Sequence, residues 1–364
     1  MRICFVVSQI FAWGKYGGFG SLTRTLGREL VKRGIEVCAV TLKRPEQPST
    51  WKLDGITVTG YPASSVFSSG KLYQARAADI YHSQEPSIGT YVAQKSMPNS
   101  KHIVTSQDPR TNYDWLIESR YFSLKQKITF PLMYLYEKNF FIKKAVQKAD
   151  AVYCQAKYIA PKTKSLYALN NTPDFLPNPV IVPKDNPVKA KAPTVCFVAR
   201  LDRRKRPKMF FDLAKQFPNV KFITVGAAHD KQYGNYLNEQ YSDIPNLEMA
   251  GFVDQFTSNK LYEIIGQSWV MINTAARECL PVAFLEAAAN RCAILSCNNP
   301  DGFAENFGYH VKNDDYASGL KFLLQDDLWR SLGKKGYEYV NKTHELNTVI
   351  DQHILFYENL LRKK

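Results

Sequence analysis

The sequence predicts an α/β protein built from two Rossmann-like, doubly wound domains. With 364 residues the chain is too long for one typical domain and sufficient for two. Short β-rich runs alternate with amphipathic helical stretches, which favours parallel sheets covered on both faces. Residues 183–193 contain three prolines and three lysines without apolar periodicity, and a second such series follows them. This segment is the predicted linker.

The first series opens with a β-loop-α-β unit. Residues 3–7 read as a strand, 14–20 as a glycine loop, 21–33 as an amphipathic helix and 36–42 as a second strand. Further strands are expected at 56–59, 79–82, 102–106 and 151–154. The first predicted domain is therefore residues 1–182.

The second series gives a second predicted domain, residues 194–345. Its expected strands are 194–199, 220–225, 247–251, 268–273 and 293–296, and its expected helices are 207–217, 231–241, 259–266 and 281–290. Residues 346–364 hold an amphipathic helix, predicted at 347–361. Its apolar face suits either domain, and packing back on the first domain is one arrangement to test.

The net charge of +15 is unevenly distributed along the chain. Residues 1–180 carry 24 basic and 12 acidic side chains, whereas residues 181–364 carry 24 and 21. This asymmetry indicates an anionic partner for the first half, such as a membrane surface or lipid phosphate, or else a solvated basic surface. Nucleic acid is disfavoured because no helix-turn-helix, RNA-binding or zinc signature is present.

Location and cofactors are constrained by what the sequence lacks. No apolar stretch reaches the roughly 18 residues of a spanning helix, so we expect a cytoplasmic protein, peripheral on the cytoplasmic face of a membrane if the basic half binds lipid. The seven cysteines show no C-x-x-C spacing. We expect no disulfide framework, no metal and no cofactor.

The segment between residues 110 and 148 mixes aromatic and basic side chains. That mixture suits a membrane interface or a lipid-linked acceptor, although packing of helices explains it equally well. Its aromatic members are Tyr113, Trp115, Tyr121, Phe122, Phe130, Tyr134, Tyr136, Phe140 and Phe141, and its lysines are Lys125, Lys127, Lys138, Lys143, Lys144 and Lys148.

A basic loop follows the first strand of the second domain. Ligands of parallel sheets bind where strand ends lead into helix starts, so such loops are where a site is expected. Five cations lie between Arg200 and Arg206, and Pro207 is well placed as the first helical residue. The loop is a candidate diphosphate site, and a solvated basic loop is the alternative.

Two glutamates follow a later strand of the same domain. Glu278 lies in a loop, and Glu286 comes eight positions later in a helix that is apolar nearly all round. A buried carboxylate is costly unless it is hydrogen-bonded or paired. Sugar hydroxyls are suitable donors to Glu286, and the competing explanation is a structural ion pair with Arg291 or a loop arginine.

Several other chemistries lack their motifs. The glycine loop does not fit G-x-G-x-x-G, and the second strand ends at Lys43 without the acid that would hold an NAD ribose, which disfavours a dinucleotide oxidoreductase. There is no P-loop, G-x-S-x-G, H-E-x-x-H or D-x-D. Negative charge on a leaving diphosphate would then be met by Arg, Lys and helix starts.

Taken together, these residues resemble the retaining glycosyltransferases of family four. Glu278 and Glu286 have the family's E-x7-E spacing, and Arg200 and Lys205 its R-x4-K. Further matches are Gly17 and Gly18 with the N-terminal G-G loop, Pro177-Asn178-Pro179 with its P-N-G, and Gly251-Phe252-Val253 with its nucleobase loop. The resemblance implies a GT-B fold, in which two Rossmann-like domains face a central cleft.

The resemblance also implies roles for individual residues. Glu286 would bind the nucleotide ribose and Glu278 the hydroxyls of the donor sugar. Arg200 and Lys205 would hold the diphosphate, assisted by the N–H groups of Val282 and Ala283 after Pro281. Phe252 would lie at the nucleobase. The implied activity is metal-independent transfer of a hexose from a nucleoside diphosphate sugar to a glycan or lipid-linked acceptor, with the anomeric configuration retained.

The sequence departs from the family's pattern at three positions. Gln107 stands where the family usually has a histidine that contacts the donor sugar, and Cys279 where it usually has glycine. His82 matches one histidine of a D-x-x-H-x-H strand end, and we interpret it as structural. Gln107 therefore keeps open an alternative: a non-catalytic GT-B protein with a degenerate donor site.

Overall fold

The computed structural model describes residues 1–13 and 17–362, which form two compact units. Unit 1 comprises Met1–Trp115, Ile128–Pro179 and Leu346–Lys364. Unit 2 comprises Leu116–Lys127 and Val180–Glu345. The short segment Leu116–Lys127 thus belongs to unit 2, although the sequence-based boundaries place it in the first domain.

Unit 1 is built on an eight-stranded sheet with the strand order β3-β4-β2-β1-β5-β6-β7-β8. All pairs are parallel except β3 with β4, which form an antiparallel edge. The strands are β1 (Arg2–Val6), β2 (Glu36–Leu42), β3 (Thr50–Leu53), β4 (Ile56–Tyr61), β5 (Ile80–Ser83), β6 (Lys101–Ser106), β7 (Ala151–Cys154) and β8 (Asp174–Phe175).

Helices connect these strands. They are α1 (Gly18–Lys32), α2 (Gly70–Arg76), α3 (Ile88–Ser96), α4 (Asn112–Ser119), α5 (Leu124–Glu137), α6 (Phe140–Gln147) and α7 (Ala160–Tyr167). Helix α1 begins at Gly18, three residues before the predicted start. Gly17 is its N-cap and its carbonyl accepts a hydrogen bond from the Ser21 N–H at 3.0 Å. The first part of the predicted glycine loop, residues 14–16, lies outside the described residues.

Unit 2 is built on a six-stranded, wholly parallel sheet with the order β11-β10-β9-β12-β13-β14. The strands are β9 (Thr194–Val198), β10 (Lys221–Val225), β11 (Leu247–Met249), β12 (Val270–Asn273), β13 (Ala293–Ser296) and β14 (Gly308–His310). The helices are α8 (Pro207–Gln216), α9 (Lys231–Tyr241), α10 (Lys260–Gln267), α11 (Val282–Ala289), α12 (Phe303–Phe307), α13 (Tyr316–Leu324) and α14 (Leu328–Thr343). This is the Rossmann strand order, and it reverses between β9 and β12.

Close packing around β9 requires a glycine at the end of β10. Gly226 has φ +142°, and a Cβ there would lie 1.9 Å from the carbonyl oxygen of Ala199. Any other residue would force the two strand ends apart. The backbone of Ala199, which opens the basic loop, is thereby held against β10.

The last helix, α15 (Leu346–Arg362), belongs to unit 1. The Tyr357 hydroxyl is 2.8 Å from Nδ1 of His82, whose Nε2 lies 2.7 Å from the Thr105 hydroxyl. His82 is fully buried, and burial holds its pKa well below the usual range. It is a neutral part of the core, as the structural interpretation expects.

All seven cysteines are free, and six of them are buried. Within residues 1–13 and 17–362, no helix combines the length and apolar character needed to cross a membrane.

Replacing Tyr357 tests how much the terminal helix stabilises unit 1. We expect Tyr357→Ala to lower the free energy of unfolding by about 3–5 kcal/mol, because it empties a buried ring site and removes the Tyr357 hydrogen bond to Nδ1 of His82. Urea unfolding measures the change. Leu355→Ala is the matched control: that side chain is 53% exposed and should change the free energy by no more than about 0.5 kcal/mol. Equal effects of the two variants would contradict this arrangement.

Candidate functional site

The reversal of strand order between β9 and β12 defines where unit 2 can bind a ligand. The loops leaving these neighbouring strands run to opposite faces of the sheet, which opens a crevice at their carboxyl ends. The loop after β9 carries Arg200 and Lys205, and the loop after β12 carries Glu278. Both loops predicted to hold a ligand therefore begin at this crevice.

Hydrogen bonds tie the two loops to each other. The Thr274 hydroxyl contacts the carbonyl oxygens of Lys205 at 2.8 Å and Arg206 at 3.0 Å. The Ala276 N–H donates to the Arg204 carbonyl at 2.9 Å, and Nε of Arg206 donates to the Thr274 carbonyl at 2.5 Å. The two loops form one preorganised surface.

Lys205 and Glu278 form an ion pair within that surface. The Asn273 amide donates to Oε1 of Glu278 at 3.3 Å, and the Glu278 N–H donates to Oδ1 of Asn298 at 2.9 Å. The structure thus brings together two residues that the family resemblance assigns to one site, and adds Asn298 from the loop after β13.

Four of the five cations in the basic loop have specific partners. The Arg203 guanidinium lies 4.5 Å from the Tyr233 ring centroid, Arg204 pairs with Glu118, Lys205 with Glu278, and Arg206 with Asp314. A solvated basic loop is therefore a poor description of it. The fifth cation, Arg200, also has a partner, Asp202 at 3.5 Å, and its side chain is 44% exposed, which leaves it accessible to a ligand.

Glu286 is buried in the second turn of α11 and is 6% exposed. Its carboxylate has no hydrogen-bond donor or cation among the described residues, and burial alone raises its pKa to about 7. Arg291, the proposed ion-pair partner, instead stacks over the Tyr337 ring at 4.1 Å. The ion-pair explanation for Glu286 is therefore wrong, and an uncompensated buried carboxylate remains.

The start of helix α11 supplies backbone donors. Pro281 is the N-cap residue, with φ −69° and ψ 138°. Phe284 donates its N–H to the Pro281 carbonyl at 3.0 Å, whereas the N–H groups of Val282 and Ala283 have no acceptor within the described chain. Such unpaired donors at the positive end of a helix favour an anion.

An aromatic side chain stands at the end of β11. Phe252 is 52% exposed, and the preceding Gly251 accepts a hydrogen bond at 2.8 Å from the N–H of Gly226 at the end of β10. The backbone is held while the ring stays accessible, an arrangement that suits stacking.

The sequence analysis did not identify Glu118 in helix α4. Its carboxylate contacts Nη1 of Arg277 at 2.8 Å and Nη1 of Arg204 at 3.0 Å. The side chains of Glu118 and Arg277 are 3% and 6% exposed. Glu118 thus holds the residues immediately before Lys205 and Glu278. It lies 159 residues from Arg277, and no local pattern signals that pairing.

Gln107 and the glycine pair lie in unit 1. Gln107 is 2% exposed, and its Oε1 accepts a hydrogen bond from Asn178 at 3.2 Å. Gln155 donates to the Gln107 carbonyl, also at 3.2 Å. Gly17 caps α1 and Gly18 is its first residue. Gln107 is therefore part of a buried carboxamide cluster that includes Asn178 of the P-N-P motif.

A small cavity in unit 1 opens beside β6. Its polar lining includes Glu85, Asp108, Arg110 and Glu137. The Arg110 guanidinium pairs with Asp108 at 2.9 Å and also with Glu137. This group of charged residues at strand ends was not identified from the sequence, because Glu137 comes from a helix far along the chain.

We expect Glu118→Gln to loosen both loops of the site. The change removes the buried negative charge that Arg204 and Arg277 share, so the free energy of unfolding of unit 2 should fall by about 3 kcal/mol. Urea unfolding measures the loss, and amide hydrogen exchange should increase around residues 203–206 and 275–278. Glu263→Gln, at an exposed position of α10, is the control. Unchanged exchange in both loops would show that Glu118 does not hold them.

The raised pKa of Glu286 predicts how the free energy of unfolding changes with pH. Its pKa is raised from an ordinary value of 4.5 to about 7, so folding disfavours the ionised form. The contribution of Glu286 to the free energy of unfolding is fully present below about pH 4.5. It is lost as the pH rises through 7. The free energy of unfolding of Glu286→Gln should therefore exceed that of the wild type by up to about 3 kcal/mol at pH 8. At pH 5 the two free energies should differ little.

Urea unfolding of ligand-free protein at the two pH values measures that difference. Glu239→Gln, at an exposed site, should show no pH-dependent gain. A gain from Glu286→Gln that is the same at pH 5 and pH 8 would contradict an uncompensated carboxylate.

The second half of the chain is similar to a known protein family. Residues 181–339 match the family model of glycosyl transferases group 1. No curated protein sequence matches the chain.

Similar solved structures cover the whole chain. HepE of Anabaena, solved with UDP and glucose, is 14% identical with a TM-score of 0.71, and the match covers 98% of this chain and 99% of HepE. A glycosyltransferase of Rickettsia africae ESF-5 is 14% identical with a TM-score of 0.67, and the match covers 100% of this chain and 99% of that protein. The lipopolysaccharide outer core galactosyltransferase WaaB is 13% identical with a TM-score of 0.64, and the match covers 98% of this chain and 100% of WaaB.

These matches confirm the predicted GT-B fold class. Residues 181–339 are thus similar to the glycosyl transferases group 1 family, and the chain has the fold of solved glycosyltransferases.

Proposed function

We propose that this protein is a retaining glycosyltransferase of the family-four type. It would transfer a hexosyl group from a nucleoside diphosphate sugar to a glycan or a lipid-linked acceptor. The observation that carries the proposal is the buried, unpartnered carboxylate of Glu286, which follows the loop of Glu278, itself paired with Lys205 of the basic loop. A carboxylate in that environment needs donors from a ligand, and a ribose diol supplies two.

The remaining groups of unit 2 suit the other parts of such a donor. Phe252 offers a ring for the nucleobase. Arg200, Lys205 and the N–H groups of Val282 and Ala283 offer charge and hydrogen bonds for the diphosphate. HepE has been solved with UDP-glucose and an alpha-glucosyltransferase with UDP, which makes uridine diphosphate sugars the first donors to test.

Donor binding would change the partners of Lys205. In the ligand-free protein its ammonium is paired with Glu278. A diphosphate would draw the ammonium away, and the carboxylate of Glu278, still held by Asn273, would accept hydrogen bonds from the sugar hydroxyls. One ion pair thus keeps both groups positioned until the donor replaces it.

The proposed transfer step retains the anomeric configuration. The bond between the anomeric carbon and the diphosphate oxygen breaks, and the acceptor oxygen forms its bond to the same face of that carbon. The acceptor's proton passes to the departing diphosphate oxygen. Arg200, Lys205 and the start of α11 stabilise the negative charge that develops there, so the proposal requires no metal and no separate protein base.

Gln107 supports a second candidate function. Its side chain is enclosed and bonded to Asn178, in the position where the family usually has a sugar-contacting histidine. A protein that binds the nucleotide but transfers no sugar would have this feature. Measuring nucleotide binding and turnover on the same preparation separates the two candidates: binding without turnover, over a full donor panel, favours the non-catalytic protein.

The two glutamates should affect different measurements. Glu286→Gln removes a charged acceptor of ribose hydrogen bonds and should weaken the Kd for UDP by about 10- to 100-fold in calorimetry. Glu278→Gln leaves the ribose contact intact and should chiefly lower the rate of sugar release from UDP-glucose, by about 100-fold.

Glu239→Gln is the matched control, because its carboxylate is exposed on α9. Wild-type kinetics and binding in both Glu278 and Glu286 variants would show that the site lies elsewhere. A folded wild-type protein that binds no nucleotide sugar in the panel would overturn the proposed function.

A further inference from the structure

Helix α5 exposes an unusual apolar stripe. Leu124, Ile128, Leu132 and Leu135 are 78%, 73%, 71% and 63% exposed. At 100° per residue their spacing places all four side chains within an arc of roughly 80°. Leucine and isoleucine side chains this exposed on one helix face indicate a surface that is covered by something else in the working protein.

The opposite side of the same helix is anchored. The Phe130 and Tyr134 rings lie 5.5 Å and 6.3 Å from the buried ring of Trp115. Glu137, at the end of the helix, pairs with Arg110. These contacts fix which side of α5 faces outward, so the apolar stripe is a defined face of the fold.

Positive charge surrounds the stripe. Residues 124–148 contain six lysines and one glutamate, and that glutamate is the one paired with Arg110. Lys125 and Lys127 flank the stripe on its two sides. The six lysines, all exposed, are Lys125, Lys127, Lys138, Lys143, Lys144 and Lys148.

Exposed aromatic side chains lie in and against the next helix, α6. Phe140 is 66% exposed and Phe67 is 62% exposed. The Phe67 ring packs edge-on against Phe141 with centroids 6.3 Å apart, and the Lys144 ammonium lies 5.4 Å from the Phe140 centroid. Rings combined with lysines are typical of the headgroup level of a bilayer.

We infer that the face formed by Leu124, Ile128, Leu132, Leu135 and Phe140, with its surrounding lysines, binds the surface of an anionic phospholipid bilayer. Each exposed apolar side chain would enter the headgroup boundary while the lysines contact lipid phosphates. A second copy of the chain is a poorer occupant, because a symmetric contact would bring the same lysines together.

The surface lies close to the charged cavity of unit 1. Tyr136 and Glu137, the last residues of α5, line that cavity with Asp108 and Arg110. A bilayer docked on the stripe would therefore place lipid headgroups beside the carboxyl ends of the unit 1 strands. If the proposed function holds, this identifies the acceptor as lipid-linked; the bilayer contact itself does not depend on it.

Vesicle sedimentation with the full chain tests the inference. Phosphatidylcholine vesicles containing about one third phosphatidylglycerol should bind the protein, whereas pure phosphatidylcholine vesicles should bind it at least tenfold more weakly. Raising the salt concentration should weaken binding further. We expect Ile128→Ser/Leu132→Ser to reduce partitioning at least tenfold, because two exposed anchors are lost.

Matched controls separate the surface from general effects. Leu355→Ser removes an equally apolar side chain that is 53% exposed on α15. Lys143→Glu/Lys144→Glu should abolish the preference for anionic vesicles, and Lys334→Glu/Lys335→Glu, an exposed lysine pair on α14, should not.

Three results would overturn the inference. They are absence of wild-type binding to anionic vesicles, equal binding by the stripe variant and its Leu355 control, and a concentration-dependent dimer in gel filtration that the stripe variant abolishes. Calorimetry with UDP, performed without vesicles, reports on the proposed function independently. Loss of vesicle binding with UDP binding intact would sink the bilayer inference alone.

Discussion

The reversal of strand order between β9 and β12 is the constraint on which the site of unit 2 depends. Two adjacent parallel strands send their chains to opposite faces, so the backbone cannot fill the space outside their carboxyl ends. Hydrogen bonds between Thr274 and Arg206 connect the loops across this space, and Gly226 lets the end of β10 pack against Ala199 at the start of the basic loop. Arg200, Lys205, Glu278 and the start of α11 are then placed around one crevice by the topology of the sheet.

Electrostatic balance distinguishes the parts of this crevice. Glu118 contacts two arginines of the loops and offsets one of their charges, and Lys205 pairs with Glu278, so these charged groups have partners within the chain. Glu286 is the exception, since burial without a partner makes its ionised form unfavourable. An active site commonly holds such a group at some cost to the stability of the empty protein. Under the proposed function, the same carboxylate that weakens the fold would gain hydrogen bonds from the donor.

Unit 1 combines a neutral core with a charged exterior. His82 and Tyr357 join the terminal helix α15 to the sheet through hydrogen bonds that involve no net charge. Outside this core, the exposed stripe of α5 and its lysines form a surface that differs in both apolarity and charge from the rest of the described chain. The end of α5 also lines the charged cavity, so one helix connects the proposed bilayer surface with the carboxyl ends of the strands.

The sequence alone determined the alternation of strands and helices, because local periodicity and glycine or proline signals control those elements. It also predicted a site at Lys205 from the cationic helix start, at Glu286 from its apolar helix, and at Glu278 from the family resemblance. It misplaced the start of α1 because Gly17 can act as an N-cap as well as a loop residue. Only the tertiary structure decided that Glu286 is unpaired, that Glu118 bridges Arg204 and Arg277, and that Gln107 is enclosed by Asn178. Each of these facts depends on residues far apart in the chain, and no local pattern encodes which distant side chains meet.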